Sequence, residues 1–328
     1  MYPLKFTPIF KDKLWGGQKI KTVLGMDFGA LPNCGEVWVI SGYRDNVSVV
    51  ENGFLEGNDL NDLISVYMGD LVGDSVYEAF GDEFPLLIKF IDAKDWLSIQ
   101  VHPDDALAAE RNTGRGKTEM WYILQADDDA QLISGFKKEI TPETYQHLLE
   151  EKKLPEVLNY EKVEAGDVFF MPAGRIHATG PGVLLAEIQQ SSDTTYRIYD
   201  WDRIDAAGMT RKLHIEEAMD AINFEVAPHY KTRYSARKNR TATLVQCPQF
   251  TTNLLEFDEQ IMKDFEELDS FVIYMGIDGN SKLSWDDGSL EIKAGEAVLV
   301  PNIIESITLQ PEGSAKLLEV YLTEQPNL

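Results

Sequence analysis

The chain has 328 residues, of which 44% are hydrophobic and 26% are charged, a composition ordinary for a soluble globular protein with a large core. This length allows two domains. A formal net charge of −25 gives a surface that repels phosphate backbones and anionic lipid, which argues against nucleic-acid and membrane partners. An anionic substrate would therefore need basic residues concentrated at its own site.

The N-terminus and the cysteines indicate a cytoplasmic protein. The first residues have neither a long apolar stretch nor a small-residue cleavage site, so they do not predict a secretory signal. No segment approaches the ~20 apolar residues that a bilayer span requires. The two cysteines, Cys34 and Cys247, are too few for a disulfide framework or a thiolate metal site.

Most apolar stretches are short, rich in β-branched or aromatic residues and bounded by turn-forming residues, which predicts a mainly-β sandwich or barrel. The predicted strands, in chain order, are Glu36–Ile40, Phe84–Ile91, Leu97–Val101, Met120–Leu124, Val168–Met171, Val183–Gln189, Thr241–Val245, Ser270–Met275 and Ala297–Val300. Helices are interspersed among them. One is predicted from Leu60 to Tyr67 by apolar helical spacing, another begins at Thr141-Pro142, and a third spans Ile215–Ile222.

A weak, basic pattern from about Val226 to Arg240 divides the chain into two predicted domains. The first, over residues 1–230, is a metal-binding domain with N-terminal strands and inserted helices. The second, over residues 240–328, is a smaller β domain without metal ligands.

A faint internal repeat relates the two domains. The segment from Gly166 to Pro172 has the same Gly-to-Pro spacing as the segment from Gly295 to Pro301. In each copy, Gly is predicted to open a turn, an apolar strand follows, and Pro ends it. The first copy continues to His177, whereas the second has Ser306 at that place. We therefore predict two related barrels, of which only the first is chemically active.

The predicted strand Leu97–Val101 has an unusual polar face. Ser98, Gln100 and His102 alternate, so they share one face while the other face is apolar. A polar face on a buried strand needs a compensating partner, and a metal ion is a common one. The imidazoles of His102 and His177, the carboxylate of Glu119 on the next strand and the amide oxygen of Gln100 fit zinc. The oxygen ligands also admit manganese, iron or cobalt. We predict one divalent-metal site formed by Gln100, His102, Glu119 and His177.

A second polar cluster follows His177. Glu187 and Gln189 alternate on the next predicted strand, and Arg197 comes after them in a predicted loop rich in hydroxyl groups. Together with Lys117, Arg197 is suited to receive an anion or to stabilise a developing enolate oxygen.

These motifs resemble those of the type I mannose-6-phosphate isomerases in their short bacterial form, and the frame around His177 is similar to the second cupin motif. The resemblance is carried by FPLLIKFIDA and LSIQVHPDD within residues 84–105, GKTEMWYIL at 116–124, and the long run from Pro172 to Arg203, supported by KLWGG at 13–17 and GEVWVISGY at 35–43. It implies a mainly-β fold of two cupin-type jelly-roll barrels with interspersed helices. It also implies zinc at the four ligands named above, a catalytic Arg197, and substrate contacts from Ser98, Lys117 and Glu187.

The implied reaction interconverts mannose 6-phosphate and fructose 6-phosphate through a cis-enediol(ate). Glu187 is the preferred proton shuttle, and a metal-bound water or another group near His102 is the alternative. Longer members of the family have a second basic residue shortly after the position of Arg197. Here that stretch reads Ile198-Tyr-Asp-Trp-Asp, so the phosphate contacts stay open, with Arg175 and Lys89 as candidates. The alternatives are another cupin metalloenzyme, such as an iron-dependent oxygenase, or a non-enzymatic sugar- or metal-binding cupin. The oligomeric state is not predicted.

Overall fold

The computed structural model describes residues 1–205 and 208–323, which are mainly β-strand. The strands are β1 (Leu4–Lys5), β2 (Ile9–Lys11), β3 (Glu36–Tyr43), β4 (Asn46–Val47), β5 (Leu86–Ala93), β6 (Ile99–Val101), β7 (Glu119–Ala126), β8 (Gln131–Phe136), β9 (Leu158–Lys162), β10 (Val168–Met171), β11 (His177–Thr179), β12 (Val183–Gln190), β13 (Tyr196–Tyr199), β14 (Lys231–Thr232), β15 (Arg240–Gln246), β16 (Thr251–Phe257), β17 (Ile261–Asp264), β18 (Val272–Asp278), β19 (Asn280–Trp285), β20 (Gly288–Lys293), β21 (Ala297–Val300), β22 (Ser306–Pro311) and β23 (Ala315–Tyr321). The helices are α1 (Lys19–Thr22), α2 (Leu60–Tyr67), α3 (Gly69–Val72), α4 (Asp74–Phe80), α5 (Asp105–Glu110), α6 (Pro142–Glu150) and α7 (Ile215–Ala221), with short 3-10 turns at Gly53–Leu55 and Leu154–Val157. Within the described ranges, no helix has the combination of length and apolarity that crossing a bilayer requires.

The predicted strands and helices all form, with some ends shifted. Helix α2 begins where expected because the Asp59 side chain accepts a hydrogen bond from the Asp62 backbone N–H. Helix α6 begins at Pro142 because the Thr141 side chain caps the backbone N–H of Thr144, and proline has no N–H to lose at the first helical position. Local capping chemistry therefore fixes both of these helix starts.

The first half of the chain forms a sandwich of two antiparallel sheets, hereafter the first sandwich. Its larger sheet has the order β14-β10-β7-β12-β5-β3-β2, with β4 beside β3, and its smaller sheet has the order β13-β6-β11-β8-β9. Along β12, Leu184 and Ala186 face a core shared with the other half, while Leu185 belongs to the core between these two sheets. Because side chains alternate between the two faces of a strand, Glu187 points to the same side as Leu185, which is the interior of the first sandwich.

The second half forms an equivalent arrangement, hereafter the second sandwich. Its sheets have the orders β1-β21-β18-β23-β16-β15 and β17-β22-β19-β20. The N-terminal strand β1 pairs with β21 and so joins this half of the molecule. One hydrophobic core, containing Ile88 of β5 and Ile273 of β18, lies between the two larger sheets. The two sandwiches therefore pack back to back, and the division at residues 230–240 stays a prediction.

The internal repeat has the predicted strand–turn–strand form in both halves. Gly166 and Gly295 have φ of +93° and +88°, values at which other residues are strained, which explains glycine at both positions. The strands β10 and β21 follow, and each ends just before the repeat's proline. His177 is then the first residue of β11 and Ser306 the first of β22, so the two residues hold the same place in the fold.

Candidate metal centre and active-site cavity

Three side chains from different strands of the first sandwich converge on one point. His177 Nε2 lies 3.2 Å from Glu119 Oε1, and His102 Nε2 lies 3.5 Å from Glu119 Oε2. Each of the three residues is only 1% exposed. Their candidate ligand atoms all lie within 4.8 Å of one another, close enough to bind a single ion.

The backbone fixes how each imidazole points. His102 Nδ1 lies 2.9 Å from the Thr194 carbonyl oxygen, and His177 Nδ1 lies 2.9 Å from the Arg175 carbonyl oxygen. Because a carbonyl only accepts, both Nδ1 atoms carry the proton and both Nε2 lone pairs face the centre. Burial lowers the pKa of His177 to about 4 and the pKa of His102 well below its usual value, and the nearby Lys117 ammonium lowers both further. Both rings are therefore neutral ligands at neutral pH.

Gln100 is beside this triad, since its residue on β6 pairs directly with His177 on β11. The Gln100 Nε2 atom lies 3.3 Å from His177 Nε2, and a half-turn of the amide puts Oε1 there instead. Neither Glu119 carboxylate oxygen has a hydrogen bond among the described residues, although the Lys117 ammonium lies 3.4 Å from Oε2. Two imidazole lone pairs, an amide and a buried carboxylate are a donor set that suits a divalent cation.

A cavity of about 250 Å³ opens beside these residues. Its walls come from the N-terminal segment, β3, β5, β6, β7, β12, and the segment from Asp193 to Arg211: Lys13, Trp15, Glu36, Lys89, Ile91, Leu97, Ser98, Gln100, Lys117, Trp121, Glu187, Asp193, Thr195, Arg197 and Arg211. Five of these side chains are cationic. On a chain with a net charge of −25, such a concentration of positive charge is what an anionic substrate needs.

Glu187 occupies the floor of the cavity, 3% exposed. The Lys89 ammonium lies 2.7 Å from Glu187 Oε1, and Trp121 Nε1–H donates to Glu187 Oε2 at 2.7 Å. Burial and the carboxylate of Glu119 raise the pKa of Glu187, and Lys89 opposes them. A carboxyl group whose pKa is raised toward neutrality is suited to exchanging protons.

Lys117 lies between the candidate ligands and the cavity. Its Nζ is 3.2 Å from His102 Nε2 and 3.4 Å from Glu119 Oε2, and the residue is 4% exposed. Ser98 lies close by and donates to Gln100 Oε1 at 3.4 Å. Ser98, Gln100, Lys117, Glu187 and Arg197 therefore line one cavity, and Gln100 and Lys117 connect it to the buried triad of His102, Glu119 and His177.

Arg197 was predicted in a loop, and that prediction is wrong: it lies in β13, paired with Gln100 of β6. The hydroxyl-rich run ends before β13, and the alternation of buried Tyr196 and Ile198 with their half-buried neighbours is a strand pattern. Burial and the neighbouring Arg211 lower the pKa of Arg197. Its Nε is buried without an acceptor in the described part of the chain, which leaves a donor for a substrate oxygen.

Of the two candidate phosphate residues, neither is a free cation in the cavity. Arg175 donates to the Phe170 carbonyl and stacks on Tyr230, away from the cavity. Lys89 is in the cavity wall and is paired with two carboxylates, Glu187 and Glu36.

Sequence reasoning did not assign Lys13, Glu36 or Arg211 to the site. Arg211 reaches the cavity from the basic stretch before α7, where the Asp200 carboxylate binds it through Nε at 2.8 Å. The first two belong to the KLWGG and GEVWVISGY motifs, which were noted without a chemical role.

The comparisons with known proteins agree with this geometry. Residues 3–145 match the family described as phosphomannose isomerase type I, catalytic domain, and residues 240–322 match the mannose-6-phosphate isomerase cupin domain. The mannose-6-phosphate isomerase of Streptococcus mutans serotype c is 34% identical over 323 residues, which cover 98% of this chain and 99% of that protein. The chain belongs to the type I mannose-6-phosphate isomerase family.

Other members of the family agree over the same length. A mannose-6-phosphate isomerase of Bacillus subtilis is 34% identical over 326 residues, covering 98% of this chain and 99% of that protein. A crystal structure of a mannose 6-phosphate isomerase from Bacillus subtilis superposes with a TM-score of 0.87 at 31% identity, over 98% of this chain and 99% of that one. The predicted family and the mainly-β cupin fold are thereby confirmed, and the sheets are compatible with the two predicted jelly rolls, although those of the described residues do not close into barrels.

Proposed function

We propose that this chain is a zinc-dependent isomerase that interconverts mannose 6-phosphate and fructose 6-phosphate. The observation that carries the proposal is a cavity with a buried carboxylate and five cations that lies against the His102–Glu119–His177 triad, with Gln100 and Lys117 common to both. Zinc, rather than another divalent ion, is favoured by two imidazoles with a carboxylate and an amide. A location in the cytoplasm stays a prediction from the sequence.

Aldose–ketose isomerisation moves a proton between C1 and C2 and develops negative charge on the adjacent oxygens. When bound by Gln100, His102, Glu119 and His177, the metal ion supplies Lewis-acid polarisation of those oxygens. Lys117 and Arg197 stand beside this point as fixed positive charges, so they are suited to stabilise the enediolate without reorganising.

Glu187 is the group we propose to carry the proton. It accepts a proton from one carbon and returns it to the other, while Trp121 and Lys89 hold its two oxygens. Ser98, just before β6 and beside Gln100, is suited to bind a sugar hydroxyl.

The phosphate group, at the other end of the sugar from C1 and C2, is proposed to lie against Arg211. Arg211 and Arg197 both line the cavity, and Arg197 donates to the backbone carbonyl of Lys212, the residue after Arg211. Asp200, 5% exposed, is hydrogen-bonded to Arg211 and Arg203 and so holds this cationic side of the cavity in place.

A coupled assay tests the proposal. The purified protein should convert mannose 6-phosphate, lose activity on chelation and regain it with zinc. R197A should lower turnover by about a hundredfold or more while one metal ion per chain is retained. A protein that keeps full activity after complete metal removal, or that consumes oxygen and leaves mannose 6-phosphate unchanged, would contradict it.

A further inference from the structure

We propose that Glu36 is a positioning residue of the isomerase: through Lys89 it fixes the orientation of the Glu187 carboxylate. This inference rests on the function proposed above and adds to it a residue that does not itself take the substrate proton. Glu36 is the first residue of β3, on the far side of β5 from Glu187.

Charges alternate along the cavity wall from its mouth to the proposed proton shuttle. Lys13 Nζ lies 3.0 Å from Glu36 Oε1, Lys89 Nζ lies 3.8 Å from Glu36 Oε2, and Lys89 Nζ lies 2.7 Å from Glu187 Oε1. Trp38 Nε1–H also donates to Glu36 Oε2 at 2.8 Å. Each carboxylate thus has a cation and an indole N–H as partners, and Lys89 is shared between the two.

The burial of these groups makes the arrangement rigid. Lys89 is 4% exposed and Glu36 is 8% exposed, so neither finds enough water to replace a lost partner. Burial would raise the pKa of Glu36, but Lys89 and Lys13 outweigh it and lower the pKa to about 2. Glu36 is therefore ionised throughout the working pH range and is a permanent anchor for Lys89.

The second sandwich shows what this place looks like without such an anchor. Glu319 is on β23, and its partners on the two neighbouring strands are Tyr274 of β18 and Asn253 of β16. In the first sandwich, Glu187 is on β12, and its partners are Trp121 of β7 and Lys89 of β5. Tyr274 donates to Glu319 Oε2 at 2.6 Å, and Asn253 donates to Oε1 at 3.0 Å. There an uncharged amide takes Oε1, and the cation, Lys263, lies 2.7 Å from Oε2 instead, whereas in the first sandwich the lysine itself occupies the place of the amide and lies between two carboxylates.

That second carboxylate also limits where Lys89 points. The Lys89 ammonium is on a flexible stem and is held by two ion pairs, with Glu187 Oε1 at 2.7 Å and Glu36 Oε2 at 3.8 Å. Without Glu36 the ammonium would be free to turn toward other acceptors in the cavity and would carry Glu187 Oε1 with it. A displacement of about 1 Å at a reacting group is enough to cost orders of magnitude in rate.

A double-mutant cycle tests the proposal on the metal-loaded full chain. The variants are E36Q, K89M and E36Q/K89M, with E319Q as a control for the loss of a buried, ion-paired carboxylate outside the cavity. E36Q should lower kcat about tenfold or more with KM changed less than about threefold. Because Glu36 acts through Lys89, kcat of E36Q/K89M should equal that of K89M alone.

Metal content and thermal unfolding of each variant separate positioning from loss of fold. If E36Q is recovered unfolded, E36D keeps the charge while shortening its reach to Lys89 and provides the same comparison. Wild-type kcat in E36Q, losses that multiply in the double variant, or an equal fall of kcat in E319Q would each overturn the proposal. Absence of isomerase activity in the wild-type chain would instead refute the proposed function.

Discussion

The two sandwiches hold a buried glutamate at the same place and use it differently. In the first, Glu187 is bound by Trp121 and by a lysine; in the second, Glu319 is bound by Tyr274 and by an asparagine. In both, an aromatic donor takes Oε2 and a nitrogen on the opposite neighbouring strand takes Oε1. The pair of strand neighbours that binds a central carboxylate is therefore a feature of the repeated architecture and does not depend on a metal.

The two sandwiches differ in the residues around this glutamate, at the positions of the candidate metal ligands. Glu119 pairs with Met171 on β10, and the corresponding pair in the second sandwich is Val272 with Val300 on β21. Ser306, paired with Asp264, holds the place of His177, paired with Gln100. The second sandwich thus has an apolar valine and a hydroxyl where the first has two candidate ligands. The candidate metal ligands are therefore particular to the first sandwich, whereas both sandwiches hold the buried glutamate.

The largest effect is expected from the position that most clearly separates the two copies. H177A removes an imidazole from the triad, so metal content should fall well below one ion per chain and isomerase activity should fall by at least about a thousandfold. S306A, at the corresponding place, should leave metal content and kcat unchanged. Elemental analysis and the coupled assay measure both, with thermal unfolding as the check on folding. Full metal occupancy in H177A would remove His177 from the ligand set.

The two glutamates provide the next comparison. E187Q should lower kcat by about a hundredfold, because an amide cannot carry the proton, while KM and metal content change little. E319Q should leave kcat unchanged and lower the free energy of unfolding by about 2–4 kcal/mol, because Lys263, whose ammonium lies 2.7 Å from Glu319, loses its buried partner. Urea titration and steady-state kinetics separate the two. A fall in kcat for E319Q as large as for E187Q would mean that both residues act through stability.

A smaller effect is expected at the cations that line the cavity of the first sandwich. R211Q should raise KM for mannose 6-phosphate about tenfold with kcat nearly unchanged, because one charge-assisted contact to phosphate is lost. K212Q is the matched control, since the Lys212 side chain is 77% exposed and its Nζ lies 3.9 Å from Glu217. Equal KM values for R211Q and K212Q would place the phosphate elsewhere.

Much of the fold was predictable because its signals are local. Apolar runs of strand length, the Thr141-Pro142 helix start and the Gly-to-Pro frame of the repeat each depend on neighbours in sequence. The polar face of Ser98, Gln100 and His102 was visible for the same reason, since alternation along one strand requires no knowledge of its partners. The strand β13 was missed because the hydroxyl-rich run before it was read as continuing through Arg197.

The rest of the site depends on pairing between distant strands. Lys89 meets Glu187 only because β5 and β12 pair in a particular register, and nothing in either segment fixes that register. Glu36 joins them from a third strand, and Arg211 reaches the cavity through its bond to Asp200. Such contacts arise from the tertiary arrangement of the sheets, so the sequence motifs identified residues without revealing which ones touch.

The smallest expected effect is on the free energy of unfolding in acid, compared between the wild type and E36Q. The folded pKa of Glu36 is about 2 against an ordinary value of 4.5, so the unfolded chain binds the proton more readily than the folded chain. Stability due to this group is therefore complete above the ordinary value and is lost as the pH falls from about 4.5 toward 2. Urea unfolding of wild type and E36Q at pH 7 and pH 4 measures it. The stability gap between them should narrow at pH 4, because only the wild type loses this contribution, and a constant gap would mean that Glu36 stabilises the fold through contacts that do not depend on its charge.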